Sequence, residues 1–144
     1  KEFKRNPNIK IDKNQQKYYS YNIQALVNIK KMIGENNVEA HFVINPHYIN
    51  RQLINDGEHY YQYLTDLVKI LGNVWFFDGI NRITTSPYNY YDNSHYRCNV
   101  GDEILQTIAG INIRNQKFGL LLNEHNLAET IYKIRQNKVF FETE

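Results

Sequence analysis

The run NVWFFD at residues 73–78 decides the fold class of this chain. Its four consecutive apolar residues, bounded by Gly72 and closed by Asp78, have the length of a strand and are too few for a helix. Residues 38–44, VEAHFVI, have the same character and end at Asn45-Pro46, where proline cannot continue a ladder of hydrogen bonds. The sequence therefore predicts two buried strands, one at each run.

Each predicted strand is preceded by a segment with helical spacing of apolar residues. Residues 15–34 end at Gly34, which is predicted to be a left-handed C-cap, and residues 56–72 begin at Asp56, which is predicted to be an N-cap. The apolar stripe of the first segment is Tyr19, Ile23, Leu26, Ile29 and Ile33. The order helix, strand, helix, strand predicts an α/β fold, with a parallel sheet covered by helices on both faces.

Helical spacing returns in the second half of the chain. It predicts helices at residues 100–110 and 123–137, with residues 118–122 as a short apolar connector. Residues 79–99 have no period and are rich in Asn, Thr, Ser and Tyr, and long irregular stretches of this kind are usually functional or disordered. Residues 1–14 are interpreted as a polar leader or an interrupted segment, and residues 15–144 as one domain or one piece of a larger domain.

Composition excludes several classes of function. The net charge of +2 does not favour binding to nucleic acid, and the apolar runs are too short to form a transmembrane segment. A single cysteine, Cys98, allows neither an intramolecular disulfide nor a Cys-rich zinc site. The histidines at positions 41, 47 and 59 lack the spacing of a metal motif, so neither a metal nor a cofactor is predicted.

The candidate chemistry lies in residues 88–97, YNYYDNSHYR, where Asp92 and His95 stand three residues apart before a predicted helix. A carboxylate in that position can bond one imidazole nitrogen and stabilise the imidazolium, while the other nitrogen takes a proton from a hydroxyl nucleophile. Asp92 and His95 are therefore candidate catalytic residues. The structural alternative is that Asp92 caps the helix or holds the loop and that His95 is an ordinary polar residue.

Aromatic residues surround this pair. Tyr91 and Tyr96, with Arg97 adding charge, are candidate substrate-binding residues because aromatic rings stack on sugar rings. The alternative is that the tyrosines of this loop pack against one another and keep their hydroxyl groups in water.

Residues 89–97, NYYDNSHYR, followed by VGDEIL at residues 100–105, resemble the last conserved block of SGNH-hydrolase-like proteins, also called the GDSL esterase/lipase superfamily. Members that act on acyl groups of exopolysaccharides or the cell envelope carry a similar Tyr-Asp-x-x-His-aromatic-Arg pattern before a terminal helix. The strand ending VINPH at residues 43–47 and the run FGLLL at residues 118–122 are also similar to this subgroup. The likeness covers roughly residues 15–134, and the Asp-x-x-His segment is its specific part.

This resemblance implies a three-layer, flavodoxin-like fold, incomplete in this chain, and serine-based acyl transfer or ester hydrolysis. By that motif His95 matches the general base and Asp92 its orienting carboxylate. The substrate implied is an acylated carbohydrate or a cell-envelope component, and the resemblance favours the envelope or periplasm as the compartment. The family's other blocks are absent, because the 144 residues contain neither Gly-x-Ser nor Gly-x-Asn-Asp.

Two interpretations follow from the missing serine. Since the sequence starts at Lys1 rather than Met, we expect it to be the C-terminal part of a family member, inactive by itself, whose nucleophile lies upstream. The alternative is a non-catalytic SGNH-like domain that binds glycan or a partner protein. A stand-alone α/β domain of unrelated function is a third hypothesis, and the similarity of the Asp-x-x-His block to the family pattern argues against it.

Overall fold

The computed structural model describes residues 13–54, 57–111 and 118–143, and the chain there is a mixed α/β fold. The elements are α1 (Lys13–Glu35), β1 (Val43–Ile44), α2 (Ile49–Ile54), α3 (Gly57–Leu71), β2 (Val74–Phe76), α4 (Cys98–Ile108), β3 (Leu120–Leu122) and α5 (Leu127–Thr143). A short 3₁₀ turn, Pro87–Asn89, lies between β2 and α4. The α/β class predicted from the alternation of periods is confirmed.

The sheet has the order β1-β2-β3 and is mixed. β1 and β2 are parallel, with Val43 opposite Trp75 and Ile44 opposite Phe76. The predicted wholly parallel sheet is wrong for β3, which pairs antiparallel with β2, and the predicted connector at residues 118–122 contains this strand. The three leucines of β3 are too few to show a period and carry no information about strand direction, which is why the sequence did not reveal the strand.

Alternate residues of β2 enter two different apolar clusters, as strand geometry requires. Val74 and Phe76 pack in the first, whose other buried residues are Ile44, Leu64, Leu67, Val68, Leu71 and Leu122. Trp75 packs against the second, whose buried residues are Phe77, Ile83, Val100, Ile104 and Phe118. The first cluster is built largely from α3 and the second from α4 and the residues around the sheet.

α1 and α5 are attached to α3 by polar contacts as well as apolar ones. The Tyr19 hydroxyl donates to Asp66 Oδ2 at 2.6 Å, and Lys30 Nζ donates to the Leu71 carbonyl at 3.2 Å. From α5, Arg135 lies over the ring of Tyr61, 4.6 Å from its centroid. α3 is therefore the helix on which the other two assemble.

Several predicted boundaries shift. α1 continues past Gly34 to Glu35, so the predicted C-cap at Gly34 is wrong, and Asn37 (φ 55°) takes the left-handed conformation that asparagine tolerates. β1 is shorter than predicted, since of residues 38–44 only Val43 and Ile44 belong to the strand, although the Phe42 carbonyl also accepts the Trp75 N–H at 2.8 Å. The predicted N-cap at Asp56, and all but the last two residues of the predicted leader 1–14, lie outside the described residues, and those two open α1.

Candidate functional site

The residues predicted to carry chemistry lie at one edge of the sheet. β1 and β2 run parallel, so the residues that follow them, Asn45 to His47 and Phe77 to Asp78, leave the sheet at the same carboxyl edge. In open α/β sheets this edge is where ligands usually bind. The chain after Asp78 then crosses the edge as the irregular segment of residues 79–97, which we call the edge loop.

The edge loop is joined to the residues after β1 by three hydrogen bonds. The Tyr48 N–H donates to the Asn93 carbonyl at 3.1 Å, and the Ile49 N–H donates to the Thr84 carbonyl at 2.9 Å. The Tyr96 hydroxyl donates to Asn45 Oδ1 at 3.2 Å. These bonds hold the segment that contains Asp92 and His95 against the carboxyl edge.

Asparagine side chains fix the backbone of the edge loop by hydrogen bonds, although its sequence has no period. Asn81 Oδ1 accepts the backbone N–H groups of Ile83 (2.8 Å) and Thr84 (3.2 Å). Asn89 Nδ2 donates to the Ile83 carbonyl at 3.0 Å, and the Asn89 carbonyl accepts the Arg97 N–H at 2.8 Å. Asn is suited to this work because its amide both donates and accepts close to its own backbone.

Asp92 and His95 form a bonded pair at the tip of this loop. The His95 Nδ1 lies 2.7 Å from Asp92 Oδ2. Asp92 Oδ1 also accepts the backbone N–H groups of Ser94 (2.7 Å) and His95 (2.9 Å), so the carboxylate closes the turn that presents the ring. The His95 side chain is 76% exposed, and no described residue bonds its second ring nitrogen, Nε2.

The electrostatics of the turn favour a charged carboxylate. The Ser94 N–H, then the His95 ring and the His95 N–H, lower the pKa of Asp92 from 3.8 to about 2. Asp92 is therefore ionised at neutral pH. An ionised carboxylate bonded to Nδ1 favours the tautomer that leaves Nε2 as a proton acceptor, which is the orientation that a general base requires.

The three predicted substrate-binding residues occupy two different environments. Arg97 lies over the ring of Tyr91, with Cζ 4.3 Å from the centroid, and both side chains belong to exposed residues. Tyr96 is half-buried, packs against the second apolar cluster and has its hydroxyl bonded to Asn45. Tyr91 and Arg97 are therefore accessible beside His95, whereas Tyr96 attaches the edge loop to Asn45 and to the second apolar cluster.

A second His–carboxylate pair lies deeper at the same edge, and sequence reasoning missed it. Asp78, 2% exposed, accepts the His47 backbone N–H at Oδ1 (2.7 Å) and the Tyr60 hydroxyl at Oδ2 (2.7 Å). The His47 ring nitrogen Nδ1 lies 3.1 Å from the same Oδ2. The available signal was that Asp78 and His47 each follow one of two strands predicted to be parallel.

The remaining sequence candidates do not assemble into a site. Cys98 is exposed at the start of α4. Among the residues described by the structure, no group of three His, Cys, Asp or Glu side chains is arranged to hold a metal ion. Nor does any helix in that part of the chain have the length and apolar character needed to cross a bilayer.

Comparison with known proteins identified no relative of this chain. No protein-family model matches the chain, and no curated protein or solved structure is detectably similar to it.

Proposed function

We propose that this chain is the C-terminal portion of an SGNH-like serine esterase or O-acyltransferase, in which residues 88–97 supply the histidine and the carboxylate of the catalytic triad. The observation that carries the proposal is the 2.7 Å contact between His95 Nδ1 and Asp92 Oδ2, with Nε2 open to solvent at the carboxyl edge of two parallel strands. The apolar clusters on both sides of β2 support the finer assignment to a three-layer, flavodoxin-like fold.

In this mechanism His95 acts as the general base and then as the general acid. Nε2 takes the proton of a serine hydroxyl as its oxygen forms a bond to the acyl carbon, and Asp92 stabilises the resulting imidazolium. Collapse of the tetrahedral intermediate breaks the bond to the leaving alcohol, which receives the proton from His95. Water or an acceptor hydroxyl then attacks the acyl-serine, and His95 repeats the two transfers.

The serine in this proposal belongs to a segment other than these 144 residues, since they contain no Gly-x-Ser. Tyr91 and Arg97 support a carbohydrate as the substrate, because an aromatic ring with a stacked guanidinium offers an exposed flat surface next to the base. The acyl group is then carried on a sugar or on a cell-envelope component of similar chemistry.

The test is made on the product of the complete gene. The region upstream of the Lys1 codon is sequenced for a Gly-x-Ser block, and the full-length protein is assayed on O-acetylated oligosaccharides. We expect His95→Ala to lower kcat/KM by about 10³ without unfolding the protein, because triad residues act as a unit. His125→Ala is the matched control, since that imidazole is exposed and distant from the edge loop in sequence. Unchanged turnover in His95→Ala would refute the assignment.

A non-catalytic SGNH-like domain that binds glycan is the second candidate. It is favoured by the exposure of the aromatic side chains of the edge loop, with Tyr88 86% and Tyr91 66% exposed. This candidate predicts no Gly-x-Ser block in the gene, no ester turnover, and loss of glycan binding in Tyr91→Ala. The serine block therefore separates the two candidates.

A further inference from the structure

The pair formed by His47 and Asp78 has no part in the mechanism above, yet it has the features of a binding site. Asp78 accepts the His47 backbone N–H at Oδ1 (2.7 Å), and the ring atom Nδ1 of His47 lies 3.1 Å from Oδ2. The His47 side chain is 33% exposed, while the Asp78 side chain is 1% exposed. A buried carboxylate thus orients a ring that reaches the surface.

The cluster around Asp78 also contains unpaired polar atoms. Although His47 Nδ1 is close to Oδ2, it lies off the line of a hydrogen bond, and the buried Tyr90 hydroxyl has no partner among the described residues. Tyr90 is 5% exposed, and burial, with a contribution from the Asp78 charge, raises the pKa of its hydroxyl. Buried polar groups are normally paired, so unpaired ones call for a functional or solvent explanation.

The charge of Asp78 decides which ring nitrogen of His47 carries the proton. Nδ1 lies 3.1 Å from the carboxylate oxygen without an aligned hydrogen bond, and at that distance the negative charge attracts a proton on Nδ1 and repels a lone pair, so the neutral ring is expected to carry its proton on Nδ1. Nε2 then has a free lone pair, and no described residue donates to it. A hydroxyl that donates to Nε2 would strengthen the attraction between Nδ1–H and the Asp78 carboxylate, because the donor makes the ring more positive.

The backbone segments that carry His47 and His95 are hydrogen-bonded to each other. Tyr48, next to His47, donates its N–H to the carbonyl of Asn93 in the turn that contains His95, at 3.1 Å. We propose that His47, oriented by Asp78, binds a hydroxyl group of the carbohydrate that carries or accepts the acyl group, through its Nε2. The inference rests on the proposed function for the class of ligand, a sugar hydroxyl, and adds a second imidazole to that site.

The first test reads the His47 tautomer in the 144-residue chain. Long-range ¹H–¹⁵N spectra of ¹⁵N-labelled protein above pH 8 should show His47 protonated on Nδ1, whereas exposed His125 should favour Nε2–H as free imidazole does. Asp78→Asn should move His47 toward the Nε2–H form, because the repelling charge is removed. A wild-type His47 that is mainly Nε2–H overturns the inference.

The second test measures binding of O-acetylated xylotetraose to the same chain. We expect the His47 Nε2 resonance to shift on titration and His47→Phe to weaken binding at least tenfold, with His47→Gln retaining more affinity because its amide oxygen can accept the hydroxyl. His125→Phe is the matched control, and the amide spectra of the variants report folding. Equal affinity of His47→Phe and wild type, or no saturable binding of the probe, overturns the inference.

The outcomes separate this inference from the proposed function. Loss of turnover in full-length His95→Ala together with unaltered binding by His47→Phe would leave the acyl-transfer mechanism and remove the hydroxyl site. Weakened binding by His47→Phe together with normal turnover in His95→Ala would remove the mechanism and leave the hydroxyl site.

Discussion

Replacing Gly119 with alanine is expected to destabilise the protein more than any other glycine substitution at a described turn. Gly119 has φ +79°, and a Cβ added there would meet the ring of Phe77, which is 1% exposed. The ring cannot move aside easily, because Phe118 packs against it at a centroid distance of 5.0 Å and Trp75 at 6.3 Å. The substitution therefore combines backbone strain with overpacking.

The two contributions can be estimated separately. A non-glycine residue in the left-handed region costs about 1–2 kcal/mol. Forcing extra volume into a packed core costs about 1–3 kcal/mol. We therefore expect Gly119→Ala to lower the free energy of unfolding by about 2–5 kcal/mol, a large share of the roughly 5–15 kcal/mol that domains possess.

Gly72→Ala is the matched control, because Gly72 has φ +83° but nothing lies within 4 Å of an added Cβ. It should show only the backbone cost of about 1–2 kcal/mol. Urea unfolding followed by tryptophan fluorescence measures both variants, since Trp75 contacts Phe77. If Gly119→Ala unfolds at the same urea concentration as Gly72→Ala, the contact with Phe77 has no energetic consequence and the reasoning fails.

Three further changes test the polar framework of the edge. Asp78→Ala should lower the free energy of unfolding by about 2–4 kcal/mol, because the Tyr60 hydroxyl and the His47 N–H lose their hydrogen-bond acceptor. An unchanged urea midpoint would contradict this. Asn89→Ala should raise the proteolysis rate of the edge loop while leaving the helical circular dichroism intact, and equal rates would count against its role. Because the folded pKa of Asp92 is depressed, its stabilisation is present above its ordinary pKa of 3.8 and is lost as the pH falls toward 2. The urea midpoints of wild type and Asp92→Asn should therefore converge over that range, and a constant difference would refute the assignment.

Much of the fold could be read from periodicity. The alternation of periods located α1, α3 and α4 within a few residues, because α3 and α4 each bury an apolar face and α1 packs its half-buried residues against α3. β3 was missed because three apolar residues show no period, and its pairing with β2 is a long-range contact. The extent of β1 was overestimated because apolar character does not say which residues have a partner strand.

The candidate site likewise contains one contact that local sequence predicts and one that it does not. Asp92 and His95 are three residues apart, so their contact depends on one turn and could be inferred from local sequence. The contact between His47 and Asp78 spans the whole of α2 and α3, and it exists only because two strands end at the same edge. Contacts of this second kind require the register of the sheet, which local spacing does not contain.

The edge loop brings Asp92 and His95 together within a segment closed by the pairing of Tyr90 with Tyr96. The contact between the carboxylate and the ring is therefore made within one short segment and does not require a contact with a distant element. An insertion in a distant loop or a shift of a helix would carry the two residues as one unit and leave their mutual geometry intact. The orientation of the unit relative to the rest of the chain would then change, while the contact between the His95 ring and the Asp92 carboxylate would not. Homologous chains could diverge widely around such a unit and still keep the same contact between a histidine and a carboxylate.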